Sequence, residues 1–259
     1  MRMMKKVLGT VTVLALSVSL LAGCGSTAVS PVSSTASTAA ESTTSSVVSE
    51  TTSAAADENA AAAAQLLNDL TGSYQELWPV ILADEYQQTW LDDCTALVGE
   101  ENAEAAFEKL SSMVTGDVYG EDAVEAYANG GGAYFCGFTN SLATLTFDGE
   151  TSTISGTDKD SNVLFSHTYH YIGMEPVHGL YEFESDDADS GEFTYFFLAP
   201  DTSAETYHIE FRYGSDAEAL SQYDAGEYAY WVASGISTDC DQTMIDNCIE
   251  LFCTENLAG

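Results

Sequence analysis

The chain divides where its hydrophobic period changes. Ala60 to Leu70 is rich in strong helix formers, with Leu66, Leu67 and Leu70 on one face. Gly72 interrupts, and Tyr74, Leu77 and Trp78 continue the apolar spacing up to Pro79. The pattern predicts a second helical stretch from about Val80 to Leu97 and an amphipathic helix over Asn102 to Val114, carrying Ala105, Ala106, Phe107 and Leu110. A shorter helix is predicted over Glu121 to Ala128, and Gly130-Gly131-Gly132 ends this half. From Ala133 onward the period falls to two. Strands are predicted over Leu142 to Phe147, Thr151 to Ser155, Val163 to Ile172, Gly179 to Ser185, Glu192 to Leu198 and Glu205 to Tyr213, with Asp, Gly and Pro in the turns. Short strands at such spacing suggest a meander closing toward a barrel. Asp239 to Thr254 reads as a terminal helix. The expected fold is α+β: a helical N-terminal arm, a small antiparallel β-barrel and a C-terminal helix.

The first residues stand apart from this pattern. Arg2, Lys5 and Lys6 precede a short apolar run, Val7 to Leu21, and Leu21-Ala22-Gly23-Cys24 fits a bacterial lipobox. Residues 1–23 therefore read as a lipoprotein signal peptide and Cys24 as the acylated N-terminus, which places the chain on the outer side of a membrane, held there through its lipid. Residues 24–59 are rich in Ser, Thr and Ala and too poor in large apolar side chains to form a core, so they read as a disordered tether. Residues 60–259 form one domain by length.

Removal of the signal leaves Lys109, Lys159 and Arg212 as the basic residues, three against 41 acidic ones, hence a formal charge of −38. Such a field repels nucleic acid and anionic lipid, so neither is expected as a partner beyond the anchor itself. Five cysteines follow Cys24: Cys94, Cys136, Cys240, Cys248 and Cys253. An exported compartment permits disulfides, but the number is odd and no C-x-x-C occurs. Cys248 and Cys253, five apart on a helix, do not face each other. Their connectivity is not fixed by spacing. There is no nucleophile elbow, phosphate loop or HExxH to suggest an enzyme.

Several segments resemble the ZinT (YodA) family of extracytoplasmic zinc-binding proteins, in the family's order. They are Thr71-Gly72-Ser73-Tyr74-Gln75 with Trp78-Pro79, Tyr169-His170-Tyr171-Ile172-Gly173, Tyr181-Glu182-Phe183-Glu184, Asp189 to Tyr195, and Tyr228-Ala229-Tyr230 with Gly235-Ile236-Ser237. The resemblance spans about residues 66–238. It implies a lipocalin-like barrel that binds zinc and delivers it to, or buffers it for, a metal importer. It also implies three imidazole ligands, one before the Ala-Pro loop and two as His-x-His after it. Here the first of those positions falls near Phe197, the second at Thr206, and only His208 is retained. A disulfide of some relatives aligns with His167 and Ser185 and is therefore absent.

Residue chemistry suggests how a metal is still held. Alternate strand positions share a face, so Thr206, His208 and Glu210 point together, and His208 with Glu210 offers an imidazole and a carboxylate, both zinc ligands. A further ligand must come from elsewhere, and His167, His170 and His178 are the other imidazoles. His167 and His170 have opposite strand parity, so at most one faces the barrel interior; His178 lies in a turn at the rim. Against this, a lone strand histidine is ordinarily a hydrogen-bonded structural residue. The alternative function is a metal-free barrel that takes a small apolar or amphipathic ligand into a mouth lined by Phe197 and other aromatics.

Overall fold

The computed structural model describes residues 47–200 and 207–258. The expected signal segment, Cys24, much of the expected tether and Thr206 lie outside the described residues. Among those described, no helix is long and apolar enough to cross a membrane.

Eight strands close a barrel in chain order, every neighbouring pair antiparallel: β1 (Gly72–Glu76), β2 (Thr144–Asp148), β3 (Thr153–Thr157), β4 (Val163–Met174), β5 (Tyr181–Ser185), β6 (Tyr195–Leu198), β7 (Ile209–Gly214) and β8 (Ala233–Ser237). Helices flank it: α1 (Val47–Asp69), α2 (Leu77–Ile81), α3 (Gln87–Val98), α4 (Ala103–Val114), α5 (Glu121–Ala128), α6 (Ala217–Leu220) and α7 (Gln242–Leu257). The expected α+β barrel is the observed fold, with α1 starting at Val47, ahead of Ala60.

Three expectations are corrected, and two of them concern closure. The run through Tyr74 is strand β1, not helix: Gly72, at φ 146°, ends the α1 connection, and Tyr74 then pairs with Leu145 on one side and Ser237 on the other. Strand β8 was not apparent because Ala-Ser-Gly-Ile-Ser has little β propensity; pairing on both edges sets its conformation. The expected helix over Val80 to Leu97 is also broken, with a 3₁₀ turn at Asp84–Tyr86 separating α2 from α3.

Phe183, Phe196 and Tyr213 lie on one rung of the sheet. The Phe196 ring meets those of Phe165, Tyr169 and Tyr213, the Tyr213 ring meets Phe211, and all of them are buried with Phe183, so this face is the interior. Tyr74, Phe147 and Ile154 join the same core. The Tyr213 hydroxyl accepts from Thr139 N–H at 2.6 Å and donates to the Thr139 carbonyl at 3.0 Å, fixing the chain that enters β2. A second apolar layer lies outside the barrel, where Leu77, Trp78, Trp90, Leu110, Ile245 and Ile249 of the helices cover Ile236 of β8. Asp241 caps α7, its carboxylate accepting from Met244 N–H at 2.9 Å.

Candidate metal centre

The outer face of β7 is where this second layer meets polar side chains. Ile209, Phe211 and Tyr213 belong to the interior core, so the intervening Glu210 and Arg212 turn outward. His208 immediately precedes the strand. Tyr207 before it has φ 65°, a left-handed conformation that breaks strand alternation upstream. From His208 onward alternation holds, and His208 Nε2 lies 3.7 Å from Glu210 Oε1. The expected His208–Glu210 pair is therefore formed, on the barrel's outer face.

Glu210 stands opposite Ser234 of β8, whose N–H donates to the Cys136 carbonyl at 3.0 Å. The Cys136 side chain is close enough to Glu210 to feel its charge, and burial is the main reason its thiol is pushed far up. Cys248 of α7 lies close enough to His208 to act on its protonation. Burial alone would lower the His208 pKa. Cys248 and Glu210 outweigh that effect and raise it well above the ordinary imidazole value. The His208 side chain is 18% exposed and Cys248 is 2% exposed, so little solvent screens the contact. Cys240 lies within electrostatic reach of Cys248. Imidazole, carboxylate and thiol are each established zinc donors. Among the described residues, however, no group of three or more His, Cys, Asp or Glu side chains is arranged to hold a metal ion.

The other three histidines are not brought to this place. His167 and His170 are on β4, and β5 and β6 separate β4 from β7. His167 has interior parity, with Phe165 and Tyr169, and its Nδ1 pairs with Asp187 Oδ2 at 2.8 Å. His170 is exposed on the outside and pairs with Asp186 at 2.8 Å and with Glu184 at 4.0 Å. His178 stacks on Tyr223 with ring centroids 3.7 Å apart and sits 3.5 Å from the buried carboxylate of Glu175. Each has its own acidic partner and none contacts Glu210.

Phe197 is corrected as well. It shares a rung with Glu182 and Arg212 on the outer face and is fully buried, so it does not line a mouth. The interior on its other side is filled by aromatic rings. Arg212, beside it, is also fully buried; its guanidinium donates to the carbonyls of Leu220, Gln222 and Tyr228, with its carbon 4.2 Å from the Tyr223 ring centre. A cleft of about 330 Å³ does occur elsewhere, lined by Glu76, Trp78, Pro79, Val114 and Cys136 among others.

No family model matches the chain, and no curated protein matches it. Among solved structures it is similar to the Zn(II)-bound ZinT-like domain of Streptococcus pneumoniae AdcA, at 16% identity and a TM-score of 0.45 over 71% of this chain and 89% of that one. It is similar also to Zn(II)-bound AdcA of the same organism, at 15% identity and a TM-score of 0.42, over 70% of this chain and 34% of that one.

Proposed function

We propose that this chain is a lipid-anchored, extracytoplasmic metal-binding protein that takes zinc as cargo, at a family site rewired to His208, Glu210 and Cys248. The observation that carries this reading is His208, whose imidazole lies 3.7 Å from the Glu210 carboxylate and feels the Cys248 thiol of α7 as well. These are the donor types zinc prefers, and a thiolate favours zinc over hard cations such as Mg²⁺ or Ca²⁺. His208 and Glu210 were legible as one pair; Cys248 supplies the third donor that none of His167, His170 and His178 supplies. In the metal-free protein Glu210 and Cys248 both favour the protonated imidazole, so zinc must displace the proton on His208. The lipobox supports anchoring through Cys24 on the outer side of a membrane. The family resemblance supports a metal importer as the partner, and binding in place of catalysis. The small-ligand alternative loses support because aromatic rings fill the barrel and Phe197 is buried on its outside.

Calorimetric titration of zinc into the metal-stripped chain lacking its first 24 residues, with reductant present, tests this. Binding at 1:1 that is abolished in His208→Ala is the expected result. Binding that survives the substitution would move the site to His167, His170 or His178. Weak, salt-sensitive, multi-site binding would mean that only the acidic surface sees zinc, and would overturn the proposal.

A further inference from the structure

The five cysteines separate into two groups by what their sulfurs meet. Cys248 turns to His208. Cys253, one and a half turns further along α7, points about 140° away from it around the helix. There its Sγ lies 3.9 Å from Sγ of Cys94 on α3. Both residues are completely buried in the helical layer, among Trp90, Leu110 and Ile249. Within that layer α3 packs against both α4 and α7, so the two thiols face each other across an interface. We propose that Cys94 and Cys253 form a disulfide that staples α7 to α3, leaving Cys136, Cys240 and Cys248 as thiols.

The geometry permits it with little movement. A disulfide bond is about 2.05 Å long, so the sulfurs need to close by roughly 1.9 Å, which side-chain rotation and small helix shifts supply. Among the described residues, neither thiol makes another hydrogen bond. Burial pushes both thiols up in pKa, so the folded reduced pair is a poor nucleophile and a poor metal ligand. Oxidation therefore takes place while α7 is undocked. One thiolate attacks an exchangeable disulfide, from a protein or a small molecule, and forms a mixed disulfide. The second then displaces the oxidant's remaining sulfur. In sum two S–H bonds give one S–S bond, and the two electrons and two protons reduce the oxidant to two thiols. The link closes a loop of 159 residues, a length at which cross-linking strongly restricts the unfolded chain. This inference is independent of the zinc reading.

Its test uses the chain purified without reductant and equilibrated in an oxidising glutathione buffer. The sample is quenched in acid, unfolded, alkylated, digested and mapped by mass spectrometry. One species joining the Cys94 and Cys253 peptides is expected, two hydrogens lighter than their sum, with Cys136 alkylated. Reductant should lower the melting temperature by roughly 5–15 °C, and a Cys94→Ala, Cys253→Ala double variant should lose that response. Alkylation of both Cys94 and Cys253 in the oxidised sample would overturn the proposal, as would a link from either to Cys136, Cys240 or Cys248. Because the mapping is done on the unaltered chain, the result stands whether or not the variant folds.

Discussion

Cys248→Ser separates the thiol's role from that of its surroundings. The substitution keeps a small polar group at a position 2% exposed, but serine neither ionises in this range nor serves zinc as a thiolate does. The protonated form of His208 is favoured by two neighbours against the opposing effect of burial: Cys248, and Glu210 with its Oε1 at 3.7 Å. Removing one of the two leaves burial opposed by Glu210 alone, so the imidazole pKa must fall. The second consequence is on zinc. Structural zinc sites with four ligands bind with an apparent 10–16 kcal/mol, so one ligand accounts for about 3 kcal/mol, or on the order of 100-fold in Kd. NMR titration of the His208 ring proton reads the first effect and calorimetry under reductant the second. Cys253→Ser, whose sulfur meets Cys94, should leave the His208 pKa in place and lower zinc affinity only as far as it loosens α7. If Cys248→Ser leaves both the His208 pKa and the zinc affinity unchanged, the assignment of Cys248 to this centre is wrong. A fall in pKa without loss of affinity would leave Cys248 as a neighbour of the site and not a ligand.

Zinc affinity should rise with pH, by roughly tenfold per unit for each proton displaced. Because His208 titrates well above the ordinary value, that rise should continue past neutrality, as competition with a chromophoric chelator between about pH 6 and 8 would show. In the metal-free protein the sign is opposite: the stabilisation from protonated His208 is complete below the unfolded-state pKa and is lost as pH rises through the higher folded-state one. Tyr213→Phe removes the hydroxyl bound to both Thr139 N–H and its carbonyl and should cost about 1–3 kcal/mol in urea denaturation; under about 0.5 kcal/mol would show that water already serves Thr139. Gly149→Ala should be severe for its size, at least about 2 kcal/mol, because the added carbon would lie 2.4 Å from Asn68 Cα and 2.5 Å from the Leu67 carbonyl of α1. A near-neutral melting temperature would mean that α1 does not rest on the β2–β3 turn.

Six strands were legible: β2 to β5 because one face is buried more deeply and alternation follows, β6 and β7 as short runs rich in aromatic and apolar residues bounded by turn residues. The two that were not, β1 and β8, are the pair that closes the barrel. Tyr74 has apolar neighbours at helical spacing, Leu77 and Trp78, and those residues do face a helical layer. The spacing was real, but it described α2 joined directly to a strand. In β8, Ala233 and Gly235 carry too little side chain to produce a pattern, and the strand exists because β1 and β7 pair with its two edges. Closure is a long-range property, and local periodicity carries little record of it.

The site divides along the same line. Two residues apart on one strand, His208 and Glu210 could be paired by parity alone, and they are paired. Cys248 lies on a helix 40 positions further on, and helical geometry told only that it and Cys253 point apart, not that one would meet an imidazole and the other a thiol. The aromatic rings explain why the third donor had to come from a helix. With Phe183, Phe196, Phe211 and Tyr213 filling the interior, the face of β7 that carries His208 and Glu210 turns outward, and α7 contributes the thiol that His208 meets there. A donor set divided between β7 and α7 exists only while α7 is docked. On the proposed reading metal affinity is linked to the packing of Ile245 and Ile249, and substitutions that loosen α7 without touching a donor should weaken zinc binding.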